Sequence, residues 1–383
     1  MTVSTTQKIF TPDFVLACFA HFAFGFVFYL LIPTLPIYLS QLGSTEVEIG
    51  VLIGIFTLSS VFIRPYVGRT LLRIPEKTFM VIGALLYTFT SVAYLFALPF
   101  WPFLIVRVVQ GVGYAFFQTA SITLIANMSA ESHRGQSVSY FILAFNISGA
   151  IAPSLGIFLV NHFSFTLFFL VCLGLSLCLL SIASQLGKRQ VTPLLDSSTQ
   201  ESFFLSREAL PPSIISSFSF LIWGALAAFF PLYAINHGVA NPGLFFTTIA
   251  MMLILGRALG GKMIDLYSRE KIILPSLVAY IVSVVILAFS KSLPMFILVA
   301  AILGIGHAFL IPALVVHALD HVGSSPGPAM GTFHAVMDLG MCVGPVAMGI
   351  ILQMTSYPAM FLCLAFIGII NLNYFFFFVR KKK

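Results

Sequence analysis

Apolar stretches long enough to cross a lipid bilayer recur from one end of this 383-residue chain to the other. A hydrocarbon core of about 30 Å takes ~20 helical residues. Twelve runs reach that range: 12–41, 46–72, 78–98, 101–129, 134–161, 164–186, 211–236, 243–265, 271–290, 293–320, 328–353 and 356–378. They are continuous, whereas a membrane strand shows only ~10 residues of alternating polarity, so the reading is helix and not barrel. Composition agrees, with 59% of residues hydrophobic and 8% charged, against roughly a quarter charged in a soluble domain. The first run is too long for a signal peptide and carries no small-residue cleavage site, so it is expected to stay as a helix.

The net charge of +7 raises the question of nucleic acid, and the placement of the basic residues answers it. With twelve spans, Lys8, Arg69, Arg73, Lys77, Arg134, Lys188, Arg189, Arg207, Lys262, Arg269, Lys271 and Arg380 to Lys383 fall on one side and Lys291 on the other. Arg64, Arg107 and Arg257 lie inside spans. Such asymmetry is a topology signal that predicts both termini in the cytoplasm of a cell (inner or plasma) membrane, with lipid and not nucleic acid as the large-scale partner. Cys18, Cys172, Cys178, Cys342 and Cys363 all sit in apolar runs, without a C-x-x-C or a His at ligand spacing. They read as small packing residues, and neither a metal site nor a cofactor is expected.

The chain repeats itself. Arg64-Pro-Tyr-Val-Gly68-Arg69 and Arg257-Ala-Leu-Gly-Gly261-Lys262 are 193 residues apart. Pro36-Ile37-Tyr38 matches Pro231-Leu232-Tyr233, Gly111-Val-Gly113 matches Gly304-Ile-Gly306, and Ala152-Pro153 matches Gly344-Pro345, all at nearly the same offset. Six spans per copy give both halves the same orientation, a parallel repeat about an axis normal to the membrane. The organisation is therefore an all-α membrane protein with a six-helix bundle over 1–186, a polar linker over 187–210 and a second bundle over 211–383.

Three motifs lie on this frame. After the second run, Gly68-Arg69-Thr-Leu-Leu72-Arg73-Ile-Pro75-Glu76-Lys77 is close to G-x-x-x-D-R-x-G-R-[RK] with Leu72 in place of the Asp, and the second copy, Gly261-Lys262-Met-Ile-Asp265, keeps it. Arg107-Val-Val-Gln110-Gly111-Val-Gly113 fits R-x-x-Q-G-x-G. Asn146 to Gly156, with Pro153, and Asp338-Leu-Gly340 to Gly344-Pro345 and Gly349 resemble G-x-x-x-G-P-x-x-G-G. Together they resemble the major facilitator superfamily over nearly the whole chain, and within it the twelve-helix proton-coupled efflux branch of drug and sugar exporters. The resemblance implies two pseudo-symmetric six-helix bundles and alternating access for a small organic solute, with a proton as coupling ion. It also implies a conformational role for Gly68, Arg69, Arg73, Gly261, Lys262, Asp265, Pro153, Gly344 and Pro345, and proton coupling at Arg107. A monomer that is not an enzyme is expected, with uptake symport or facilitated diffusion as the alternative.

Arg107, Gln110, Tyr114, Gln118 and Ser121 share one helical face, which lines either a helix interface or a water-filled cavity. Asp338 is the one carboxylate deep in a run, roughly 15 Å along its helix at ~1.5 Å per residue. A charged carboxylate there is destabilised unless a cation compensates. His334, one turn earlier on the same face, forms with it either a proton-sharing pair or a pair that pins helices together. Arg64 and Arg257 are repeat-equivalent, as are Asp338 and Asn146. With the helix pairing the resemblance implies, second against eleventh and eighth against fifth, Arg64 is expected to meet Asp338, and Arg257 to meet Asn146. The alternative is that the arginines hold loop carbonyls or phosphates. The same resemblance puts His21, Tyr29, Trp223, Tyr233 and His307 with the Arg107 stripe on a central substrate cavity. Arg107 and two histidines there suit an anionic or chelating solute, with amphiphilic drugs and sugars still open. Gly323-Ser-Ser325-Pro-Gly327 matches G-x-S-x-G, but a Gly/Pro loop between helices is not the strand-to-helix turn that a polytopic membrane enzyme would need, and His321 reads as a loop residue.

Overall fold

A computed structural model describes residues 10–71, 73–97, 100–129, 134–187, 206–320 and 326–380, without the side chains of 134–135, 258–266, 320 and 326–328. The terminal lysines, most of the 187–210 linker, His321 and most of the Gly323 to Gly327 run lie outside the described residues. Among the described residues there are twelve α-helices and no strand. The first six are α1 (Pro12–Gln41), α2 (Glu46–Thr70), α3 (Glu76–Ala93), α4 (Trp101–Met128), α5 (Arg134–His162) and α6 (Phe165–Gln185). The second six are α7 (Leu210–Asn236), α8 (Gly243–Leu266), α9 (Arg269–Phe289), α10 (Leu293–Asp320), α11 (Pro326–Met354) and α12 (Tyr357–Tyr374).

Helix starts follow local chemistry. The Thr11 hydroxyl accepts from the Phe14 amide at α1, and Thr45 with Glu48 forms a reciprocal capping box at α2, each satisfying amides that a helix leaves orphaned. Among the described residues ten helices are long and apolar enough to cross a membrane. In α3, Glu76 and Lys77 occupy the first turn and dilute its hydropathy, and α8 is described with side chains only as far as Arg257. Those two charges are held: Asn127 Nδ2 donates to Glu76 Oε1 at 2.7 Å, and Lys77 Nζ donates to the Leu186 carbonyl. The run expected to reach 98 is helical only to Ala93 and passes into a turn over 94–96.

The repeat is built into the packing. In the first six helices α1 packs on α5, α2 and α3 on α4, and α3 on α6; in the second, α7 packs on α11, α8 and α9 on α10, and α9 on α12. The turns that end α1 and α7 agree down to the backbone, with Gly43 at φ +82° and Gly238 at φ +76°. Left-handed geometry there favours glycine. The two sets meet through α2 against α11, α5 against α8 and α1 against α7.

Those crossings are closed in the half away from the termini. A β-carbon on Gly54 would lie 2.6 Å from the Cys342 carbonyl, and one on Gly349 would lie 2.6 Å from the Glu46 carbonyl. On the pseudo-symmetric side Gly243 abuts the Pro153 carbonyl, Ser154 Oγ and Thr247 Oγ1 are 2.9 Å apart, and Asn161 Nδ2 donates to the Ala240 carbonyl at 2.7 Å. Toward the termini the same helices separate. Gly68 of α2 and Gly331 of α11 have nothing within 4 Å of a notional β-carbon, and His334 and Arg257 are exposed. The cleft between the two sets therefore opens on the side that carries both termini.

The central cleft and its polar residues

Arg64 Nη1 of α2 lies 2.6 Å from Asp338 Oδ2 of α11, with side-chain exposures of 25% and 6%. The Arg64 guanidinium also sits 5.5 Å from the centre of the Tyr114 ring, a cation–π distance. Arg64 Nε and Asp338 Oδ2 have no aligned hydrogen-bond partner, so charge and not directed hydrogen bonding holds this contact. His334 shares the Asp338 face, yet among the described residues no hydrogen bond joins it to the carboxylate. It lies edge-on to Phe333 and within electrostatic reach of Arg64.

At the pseudo-symmetric crossing, Asn146 is buried and its Nδ2 has no hydrogen-bond partner. Arg257 is exposed and within electrostatic reach of Tyr29 and His307. Among the described residues no carboxylate pairs with it. Tyr29 packs on Gly149 of α5 and on Phe145. His307 Nδ1 is hydrogen-bonded to the Tyr280 hydroxyl, and its ring stacks on Trp223 at 5.6 Å.

The remaining polar residues are internal ties. Arg107 Nε donates to the Leu52 carbonyl at 2.9 Å and Nη1 to Gln110 Oε1 at 2.6 Å. The Tyr94 hydroxyl donates to the same oxygen, and Phe56 lies under the guanidinium at 4.5 Å. Arg107 and Gln110 border a cavity between the halves of about 40 Å³, room for about one water and not for a solute. His21 is buried, stacked on Phe141 at 3.9 Å, with Nδ1 at the Phe141 carbonyl and Nε2 at Gln118 Oε1. Tyr233 is corrected from cavity to packing: it is buried, donates to the Ser290 carbonyl at 2.6 Å, and stands among Phe296, Tyr357 and Phe361. Pro153 takes its place at the α5–α8 crossing and Pro345 at α2–α11, while Gly344 lies on the Leu221 backbone of α7. Arg69 is exposed in the last turn of α2 and Arg73 is exposed just beyond it, and the side chains of Gly261, Lys262 and Asp265 are outside the described residues.

Tyr280, Tyr94 and Phe141 were not singled out from sequence. Tyr280 had a signal, since it is 193 residues after Tyr87 and so repeats a buried tyrosine.

The comparisons with known proteins fit this architecture. The Major Facilitator Superfamily model matches residues 17–256 and again 213–383. The chain is 27% identical over 352 residues to the staphylopine export protein of Staphylococcus aureus (strain Mu50), covering 86% of each. It is 22% identical over 339 residues to the quinolone resistance protein NorA of the same strain, covering 84% of each. Among solved structures, the nucleoside transporter NupG superposes with a TM-score of 0.76 at 15% identity, covering 96% of this chain and 98% of that one. A POT family transporter in complex with 5-aminolevulinic acid reaches 0.81 at 11% identity, covering 97% and 96%. With two six-helix sets around a cleft and a family model that matches nearly all of it, the chain belongs to the Major Facilitator Superfamily, as a multi-pass membrane transporter of small molecules and not an enzyme.

Proposed function

We propose that this protein is a proton-coupled exporter, an antiporter that moves a small organic solute out of the cell by alternating access, as a monomer in the plasma membrane with both termini in the cytoplasm. The observation that carries the reading is the Arg64–Asp338 contact, a charge pair that joins α2 of one half to α11 of the other beside an open cleft. Because charge holds it, protonating Asp338 removes most of the attraction and lets α2 and α11 part. That biases one opening over the other, which is what a coupling site requires. The basic residues cluster on the termini side, as a cytoplasmic face does, and in that orientation the cleft faces inward. Export is favoured by the two relatives whose names describe export and drug resistance. His334 stands where a second protonatable group can tune the pair, Arg107 keeps α2 and α4 together, and the Gly68–Arg73 and Gly261–Asp265 segments act as hinges between the states.

The test is directional flux. Everted and right-side-out vesicles are offered a fluorescent quinolone and, separately, staphylopine, with and without an uncoupler. Uncoupler-sensitive accumulation in everted vesicles that disappears in Asp338→Asn is the expected result. Accumulation in right-side-out vesicles instead makes the protein an uptake carrier, and an unchanged Asp338→Asn removes this pair from coupling.

A further inference from the structure

The two repeat-equivalent arginines are treated differently. Arg64 has its counter-ion inside the protein, Asp338. Among the described residues Arg257 has none: the position equivalent to Asp338 is Asn146, whose amide nitrogen is buried without a partner. Arg257 lies nine residues before the end of α8, roughly 14 Å from it at ~1.5 Å per residue, so it is well inside the membrane. In the open cleft water can solvate the guanidinium. When the cleft closes that water is lost, and an unpaired cation at this depth is strongly disfavoured. Closing around a neutral solute leaves Arg257 stranded, whereas closing around an anion pairs it. The site thus selects by penalising the wrong occupant.

The surroundings suit an anionic head on an aromatic or aliphatic body. Tyr29 and His307 flank Arg257 electrostatically from α1 and α10. When the Tyr280 hydroxyl donates to His307 Nδ1, the ring proton sits on Nε2, which has no hydrogen bond among the described residues and offers a further donor. Trp223, stacked on that ring, supplies a flat apolar wall. We infer that Arg257, with His307 as auxiliary donor and Trp223 as the apolar wall, binds the carboxylate of an organic anion, and that Asn146 stands in place of an acid to leave that arginine available. The inference rests on the transport reading above and adds the substrate class to it.

Trp223 also supplies the readout. The chain has two tryptophans, and Trp101, at the far end of α4, is exposed, so Trp101→Phe leaves Trp223 as the reporter. In nanodiscs of phosphatidylcholine, quenching is followed with three matched nitroaromatics: 4-nitrobenzoate, neutral 4-nitrobenzamide and cationic 4-nitrobenzylammonium. Saturable quenching by the benzoate at a concentration at least about tenfold lower than the amide is expected, a difference of ~1.4 kcal/mol. Arg257→Gln should abolish that preference and Arg257→Lys should retain most of it. Asn146→Asp should abolish it too, by giving Arg257 an internal counter-ion. That last effect separates anion binding from a structural role, since unchanged Trp223 emission and elution volume report an intact fold. Equal saturable quenching by benzoate and amide, unaltered in the variants, overturns the anion site and leaves the transport reading standing. A preference that phosphatidylglycerol in the disc competes away assigns Arg257 to lipid and also overturns it. No saturable quenching by any of the three also overturns the anion site, and the transport reading then rests on the vesicle flux alone.

Discussion

Gly54 of α2 and the backbone of Cys342 on α11 stand so close that a β-carbon on the glycine would lie 2.6 Å from the Cys342 carbonyl oxygen. The obstacle is backbone, so it cannot swing aside as a flexible side chain does. Gly54→Ala therefore has to push α2 from α11 in the half away from the termini, and it favours conformers in which that half is parted. Cys342 is buried there. With the other four cysteines replaced by serine, N-ethylmaleimide should label Cys342 severalfold faster in Gly54→Ala than in the parent. An equal rate would mean that the crossing does not set the conformational balance.

The opposite crossing is held by polar bonds, and their loss should be milder. The 2.9 Å contact between the Ser154 and Thr247 hydroxyls is an ordinary neutral hydrogen bond, about 0.5–1.5 kcal/mol net. Ser154→Ala with Thr247→Val removes both partners and leaves neither orphaned. The double variant should lose less stability than the sum of the single variants, by about that amount, in a double-mutant cycle on thermal unfolding in detergent.

Arg107 illustrates a buried cation with no carboxylate partner among the described residues. Its bonds go to a backbone carbonyl of α2 and to Gln110, and the Tyr94 hydroxyl shares the Gln110 oxygen, so one guanidinium ties α2, α3 and α4. A lysine offers donors from one point, not from a planar fork. Arg107→Lys should therefore fail to rescue Arg107→Ala. Each loss of a hydrogen bond to the charged group costs about 1.5–3 kcal/mol, which a thermal unfolding scan detects as a drop of several degrees in Tm. A lysine variant with parental stability would contradict the two-ended tie.

What each residue bonds to decides how much of this fold and site is legible in the sequence. The twelve helices were legible because lipid thickness imposes a length on each apolar run, and the repeat because motif pairs such as Arg64 and Arg257 keep one offset. The Arg64–Asp338 contact was legible only with the helix pairing that the family resemblance implies, second against eleventh, which sets the one deep acid opposite that arginine. Arg107 was not, since the carbonyl of Leu52 carries no sequence signature. Nor was Tyr233, whose tyrosine looks the same in a cavity as against the Ser290 carbonyl. Nor was His21, whose ring is buried and bonds to Phe141 and Gln118.

The absence of aligned hydrogen bonds between Arg64 and Asp338 makes the pair unusually testable by exchange. A bidentate fork would not survive reversal, because a carboxylate on α2 would lack the reach of arginine. A contact held by charge can survive it if the longer side chain simply comes from α11. Arg64→Gln and Asp338→Asn should each lose gradient-driven flux. Arg64→Asp combined with Asp338→Arg should recover part of it. Recovery should be incomplete, because the guanidinium leaves its place 5.5 Å from the Tyr114 ring, and that contact is about 0.5–2 kcal/mol. The swapped protein is thus expected within roughly three- to thirtyfold of the parent rate. The readout is flux in vesicles with an imposed pH difference. A swapped protein no better than the single variants would show that position within each helix matters as well as charge, and coupling would then belong to Asp338 itself instead of the pair.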